Sequence, residues 1–148
     1  MIDKKGNLFS QQCSENTRKI PCIVEYVYFS RPDSSMDDIS VYKSRMRMGS
    51  KLAENIQRTN PEHDIDVVIP IPDSSSTAAL QLAVDLKVPY REGFVKNRYI
   101  GRTLIMTYQD ERKKAGRRKL NILDLEMKDK NEILVEDTIG RGTKSKEI

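Results

Sequence analysis

The chain has 148 residues, of which 37% are hydrophobic and 32% charged, a length that suits one α/β domain better than two. No run approaches the roughly 18 to 20 apolar residues of a membrane span, and the polar start from Met1 to Phe9 is not signal-like, so a soluble cytoplasmic protein with no membrane partner is expected. Two cysteines, Cys13 and Cys22, are too few for a disulfide framework and lack zinc-knuckle spacing, and the net charge of +4 comes wholly from one segment: Lys96 to Lys119 carries a local balance of +7 and the remainder sums to −3.

Residues 1–20 are polar and without period, and are expected to be a tail or a linker remnant; the domain is expected to occupy 21–148. Cys22 to Phe29 is a β-branched and aromatic run that predicts a strand buried on both faces. From about Asp38 to Arg58, Tyr42, Met46, Gly49, Ala53 and Ile56 recur at steps of four and three and predict a helix, with Asp37 and Asp38 suited to its first turn. Asp66 to Ile71 predicts a strand whose ladder Pro70 and Pro72 stop. Ser76 is the expected N-cap of a helix from Thr77 to Leu86 with Ala79, Leu80, Ala83 and Leu86 on its apolar face. Val88 to Phe94 suits a short strand, 96–120 is basic and weakly apolar, and Glu132 to Val135 is a strand followed by a glycine-bearing turn.

Strands alternating with helices predict an α/β fold with a parallel sheet, in which ligands sit outside the carboxyl ends of the strands. Two turns qualify, Pro72 to Thr77 and Glu136 to Thr143. In the second, Gly140 and Gly142 permit close backbone approach to a phosphate, with hydroxyls at Thr138, Thr143 and Ser145. Glu136 and Asp137 would repel that phosphate, so they suit sugar hydroxyls or a hard cation, and a sugar phosphate with Mg²⁺ satisfies both halves. A plain acidic surface turn accounts for the same residues, and a simple helix cap accounts for Asp73 and its serines. The basic segment suits any polyanion: nucleic acid, a membrane surface or a small phosphorylated ligand.

Residues Ile133 to Thr143, ILVEDTIGRGT, resemble the phosphoribosylpyrophosphate (PRPP) motif of type I phosphoribosyltransferases. Four further segments, EYVYFSRPDS from Glu25, IPIPDSSSTAA from Ile69, VKNRYIGRT from Val95 and RRKLN from Arg117, are in order and spacing similar to the glutamine PRPP amidotransferases, and the likeness covers roughly residues 20–148. The resemblance implies a type I phosphoribosyltransferase-like fold, a mainly parallel sheet flanked by helices and incomplete at its C-terminus. It implies transfer of the phosphoribosyl group from PRPP to ammonia, giving 5-phosphoribosylamine and pyrophosphate, the first committed step of purine biosynthesis. Glu136 and Asp137 would hold the ribose hydroxyls and, with Ser74, the Mg²⁺ environment. Thr138, Ile139, Gly140, Arg141, Gly142 and Thr143 would cradle the 5-phosphate, and Asp73, Ser74 and Ser75 would lie at the pyrophosphate loop. Lys96, Arg98, Tyr99 and Arg102 fall in the loop that closes over PRPP, with Lys96, Tyr99 and Arg102 in catalytic roles and Arg98 binding substrate. Purine nucleotides are implied as feedback inhibitors, and a homo-oligomer for the full-length parent; no nucleic-acid partner is expected.

The family's ammonia comes from glutamine through a domain whose first mature residue is cysteine, whereas this chain begins Met1-Ile2 and has about 20 residues before its first expected strand. Use of glutamine by this chain alone is therefore not expected. Glu136 stands for the family's usual aspartate, Gly140 for valine and Lys144 for a threonine; Thr107, Tyr108 and Gly116 depart within the closing loop. Cys22 occupies the position of one iron–sulfur ligand in some members, yet no cluster is expected, because the remaining ligands would lie beyond Ile148. A PRPP-binding regulatory module without catalysis, or an inactive fragment, is the alternative.

Overall fold

The computed structural model describes residues 1–18, 20–99 and 120–138. Its centre is a strand with no polar side chain. Val67–Pro70 (β3 in the chain order given below) is buried at every position. Alternate side chains serve opposite faces: Val68 joins a cluster with Ala53, Ala79, Leu82, Ala83, Leu86 and Val135. Val67, Ile69 and Ile71 pack with Phe94 in a second cluster. A strand covered on both faces must be apolar throughout, which is why this run shows no alternation.

In chain order the elements are a π-helical turn Glu25–Phe29, β1 (Ser35–Met36), β2 (Ile39–Ser40), α1 (Val41–Thr59), β3, α2 (Ser76–Leu86), β4 (Phe94–Lys96), β5 (Leu120–Ile122), a one-turn helix α3 (Asp124–Met127) and β6 (Glu132–Val135). β3 and β6 pair in parallel, Val67 opposite Glu132 and Pro70 opposite Val135, and Tyr90 forms a parallel bridge to Val68. The other two pairs, β1 with β2 and β4 with β5, are short and antiparallel. The architecture is thus α/β around a parallel centre. Among the described residues no helix is long and apolar enough to cross a membrane.

Several sequence expectations change. The run from Cys22 to Phe29 is not a strand: Glu25–Phe29 makes a π-helical turn, closed by the Ser30 amide donating to the Glu25 carbonyl at 2.9 Å, with no residue buried. Its β propensity is overridden by a tertiary partner, since the buried Arg45 in α1 donates to the carbonyls of Tyr26 and Ser30, each at 2.9 Å. Asp37 and Asp38 are not in the first turn of α1. They join β1 to β2 with φ of 48° and 62°, the left-handed pair that a two-residue hairpin turn needs, and Ser40 caps the helix by accepting from the Lys43 amide.

The buried line of α1 is Val41, Arg45, Gly49 and Ala53, at steps of four, with Tyr42 turned out to solvent. In α2 the buried residues are Ala79, Leu82, Ala83 and Leu86, and Leu80 is 46% exposed. Ser75, not Ser76, is the α2 N-cap, and its hydroxyl turns back to the Ile71 carbonyl instead of capping an amide. Pro70 does not stop the ladder, because the Ile71 amide donates to the Val135 carbonyl at 2.8 Å. Val88 to Phe94 is not one strand: only Tyr90 bridges to Val68, and β4 begins at Phe94.

Candidate functional site

Parallel pairing of β3 with β6 at matched register brings their carboxyl ends side by side, so the segments that follow, 72–75 and 136–138, emerge together. A hydrogen bond joins them: the Ser74 hydroxyl donates to the Asp137 carboxylate. On its other oxygen Asp137 accepts from the Thr138 hydroxyl at 3.2 Å. The buried Ser75 anchors the first loop from beneath through its bond to Ile71, and the peptide between Pro72 and Asp73 is cis. The amino terminus of α2 rises directly behind these serines.

Charges of both signs converge here. Asp73 forms an ion pair with the Lys96 ammonium at the end of β4. A cavity of about 480 Å³ lies between α1, α2 and the end of β6, with Arg45, Ser74, Ser75, Glu136 and Asp137 in its wall. Arg45 is only 4% exposed. Burial pulls its guanidinium below the ordinary arginine value, and the negative charge of Asp137 acts the other way. Arg45 was not singled out in the sequence; the available signal was its place four residues after Val41 and four before Gly49, on a line otherwise small or apolar.

The structure therefore gathers Asp73, Ser74, Ser75, Lys96, Glu136, Asp137 and Thr138 at one end of the parallel pair. Arg98 and Tyr99 follow Lys96, but Tyr99 is fully exposed, and among the described residues neither side chain bonds to the two loops. Arg102, Ile139, Gly140, Arg141, Gly142 and Thr143 lie outside the described residues, as does the basic segment from 100 to 119.

Among the described residues no three His, Cys, Asp or Glu side chains converge as a metal cage. The oxygens of Glu136, Asp137 and Ser74 nevertheless suit Mg²⁺, which commonly takes one or two carboxylates and completes its shell with water and substrate oxygens. The donor set fits the ion expected from the sequence.

A parallel α/β centre with a serine loop after one strand and an acidic pair after its neighbour defines the class: a type I phosphoribosyltransferase-like fold. Known proteins narrow it. The chain is 60% identical over 147 residues to the amidophosphoribosyltransferase of Pseudomonas aeruginosa and 55% identical to that of Escherichia coli K12, in each case with 99% of this chain aligned to 29% of the relative. Glutamine PRPP amidotransferase of B. subtilis, solved in complex with ADP and GMP, superposes with a TM-score of 0.73 at 39% identity, over 99% of this chain and 31% of that one. A second solved structure, described as the allosteric regulatory enzyme of purine biosynthesis, gives the same TM-score at 38% identity. No protein-family model matches. The chain is thus homologous to amidophosphoribosyltransferase sequence along 99% of its length, and it spans about 29% of the length of those relatives.

Proposed function

We propose that this chain carries the PRPP-binding and phosphoribosyl-transfer portion of an amidophosphoribosyltransferase, acting on PRPP and ammonia. The observation that carries the reading is the Ser74–Asp137 hydrogen bond, because it unites the two loops that must grip opposite ends of one ligand. Glu136 and Asp137 present carboxylate oxygens suited to the ribose hydroxyls. Asp73, Ser74 and Ser75 line the pyrophosphate side, with Lys96 beside them, and Thr138 opens the run to Thr143 that takes the 5-phosphate. Arg98, Tyr99 and Arg102 follow Lys96 in the sequence, and by the family resemblance Arg98 would bind substrate while Tyr99 and Arg102 would act on the leaving group.

In the reaction a bond forms from the ammonia nitrogen to C1 of the ribose as the bond from C1 to the pyrophosphate oxygen breaks, and the nitrogen then loses a proton to solvent. No protein nucleophile is required. Negative charge accumulates on the departing pyrophosphate, where the Lys96 ammonium can stabilise it. Mg²⁺, when bound by Glu136, Asp137 and Ser74, supplies further positive charge to the substrate oxygens. The carboxylates orient the sugar, and Ser74 orients Asp137 through its hydroxyl hydrogen. Purine nucleotides as feedback ligands follow by likeness, on the ADP and GMP bound to the B. subtilis enzyme and the allosteric description of the second neighbour; an oligomeric parent rests on the sequence resemblance alone.

Incubation of the folded chain with PRPP, Mg²⁺ and ammonium should release pyrophosphate, and omission of ammonium should abolish most of that release. Binding of PRPP with no turnover would identify a regulatory module instead. Absence of both from a folded sample would contradict the whole reading.

A further inference from the structure

The proposed pyrophosphate side of the site contains an anionic residue, which no anion-binding loop needs on electrostatic grounds. The Asp73 side chain is 57% exposed, so it is not held there by burial. Among the described residues its carboxylate has one partner, the Lys96 ammonium, with its own side chain 29% exposed. Lys96 closes β4, which is tied to β5 by pairing of Lys96 with Leu120. The pair therefore joins the loop after β3 to the strand that leads into the basic segment. The carboxylate takes one of the three ammonium donors and offsets its charge, so Asp73 and a pyrophosphate compete for the same lysine.

We infer that Asp73 is a positioning residue for Lys96: its carboxylate occupies the place of the pyrophosphate on the ammonium in the free protein and gives the lysine up when pyrophosphate arrives. This rests on the proposed function and deepens it, since Asp73 then makes no attractive contact with the substrate. The exchange is favourable because pyrophosphate brings more charge and more acceptor oxygens to the ammonium than one carboxylate does. It is also cheap. Exposed ion pairs contribute little to stability, so the latch holds Lys96 in place without competing strongly with the ligand. The Asp73 carboxylate, released beside a bound anion, would also favour departure of the product.

Isothermal titration of inorganic pyrophosphate into the 148-residue chain, with and without Mg²⁺, tests the exchange. Asp73→Asn should tighten binding about two- to five-fold, the range expected for removing a competing exposed ion pair. Lys96→Met should weaken it. Removing a negative charge near an anion helps in any background, so the deciding comparison is the double variant: the gain from Asp73→Asn must be larger when Lys96 is present than in the Lys96→Met protein. Asp73→Glu, which keeps the carboxylate, should bind as the unaltered chain does. Equal gains in the two backgrounds would reduce Asp73 to a source of repulsion and overturn the exchange. Weaker, Mg²⁺-dependent binding by Asp73→Asn would overturn it too, by making Asp73 a metal ligand. If the unaltered chain and every variant fail to bind pyrophosphate while remaining folded, the proposed phosphate site itself is wrong, and the exchange falls with it.

Discussion

Arg45 shows what one residue can contribute that a pattern of apolar positions does not reveal. A buried guanidinium costs desolvation, which is why its proton affinity is lowered, and it is retained only where its donors are used. Two of them take the carbonyls of Tyr26 and Ser30 and so pin the turn Glu25–Phe29 onto α1. The helical stripe was legible in the sequence because Gly49, Ala53 and Ile56 are small or apolar; Arg45 was not, because charge counts against burial until a carbonyl partner is known. The acidic pair was singled out for the opposite reason, since two carboxylates beside a glycine- and hydroxyl-bearing turn suit sugar hydroxyls or a hard cation. Replacing Arg45 by Met keeps the stem's packing and removes the donors, leaving two carbonyls half-satisfied. We expect a loss of about 1–3 kcal/mol, read as a lower urea midpoint, with Arg45→Lys recovering only part because a compact ammonium of shorter reach does not reproduce the planar two-donor fork.

The contact between α1 and α2 is decided at Gly49. A Cβ built there would lie 2.3 Å from the Ala78 carbonyl oxygen and 3.0 Å from the Gln81 Cβ, so the two helices approach as closely as they do only because this side chain is absent. Two effects of Gly49→Ala oppose one another. Helix propensity favours alanine by about 0.8–1 kcal/mol in a helix interior. Overpacking costs about 1–3 kcal/mol, and here the obstructing atom is backbone, which cannot rotate away as a side chain would. Packing should prevail, and the variant should melt earlier despite its better helix former. A higher melting temperature would mean that the helices part readily, and with them Ser74 and Ser75 in the loop just before α2. Element existence was readable where periodicity had length to act, as in α1 and α2. It failed for Cys22 to Phe29, where β-branched and aromatic composition is only a weak preference and the Arg45 donors hold the backbone in a turn with no residue buried.

Across the molecule, the site depends on β3 and β6 standing side by side, although 61 residues separate the last residue of β3 from the first of β6 in the chain. The parallel arrangement could be inferred from alternating strands and helices. That Ser74 stands beside Asp137 was implied by the family resemblance alone and not by either motif, because register and crossover are properties of the whole fold. Sequence placed both loops at strand ends, and only the pairing of Pro70 with Val135 makes the ends coincide. Within the described residues, the two loops meet through one hydroxyl–carboxylate bond, so a ligand that grips both should couple the two strands more firmly than that bond does. A ligand bound only by the native state stabilises by about 2.7 kcal/mol at one hundred times its dissociation constant. For a chain of this size that corresponds to a rise of about 5–10 °C in the melting temperature. PRPP with Mg²⁺ should produce such a rise, and ribose 5-phosphate or pyrophosphate alone, each engaging one loop, should produce less at the same concentration. An unchanged melting temperature at millimolar PRPP would show that the two strand ends, though adjacent, do not act as one site.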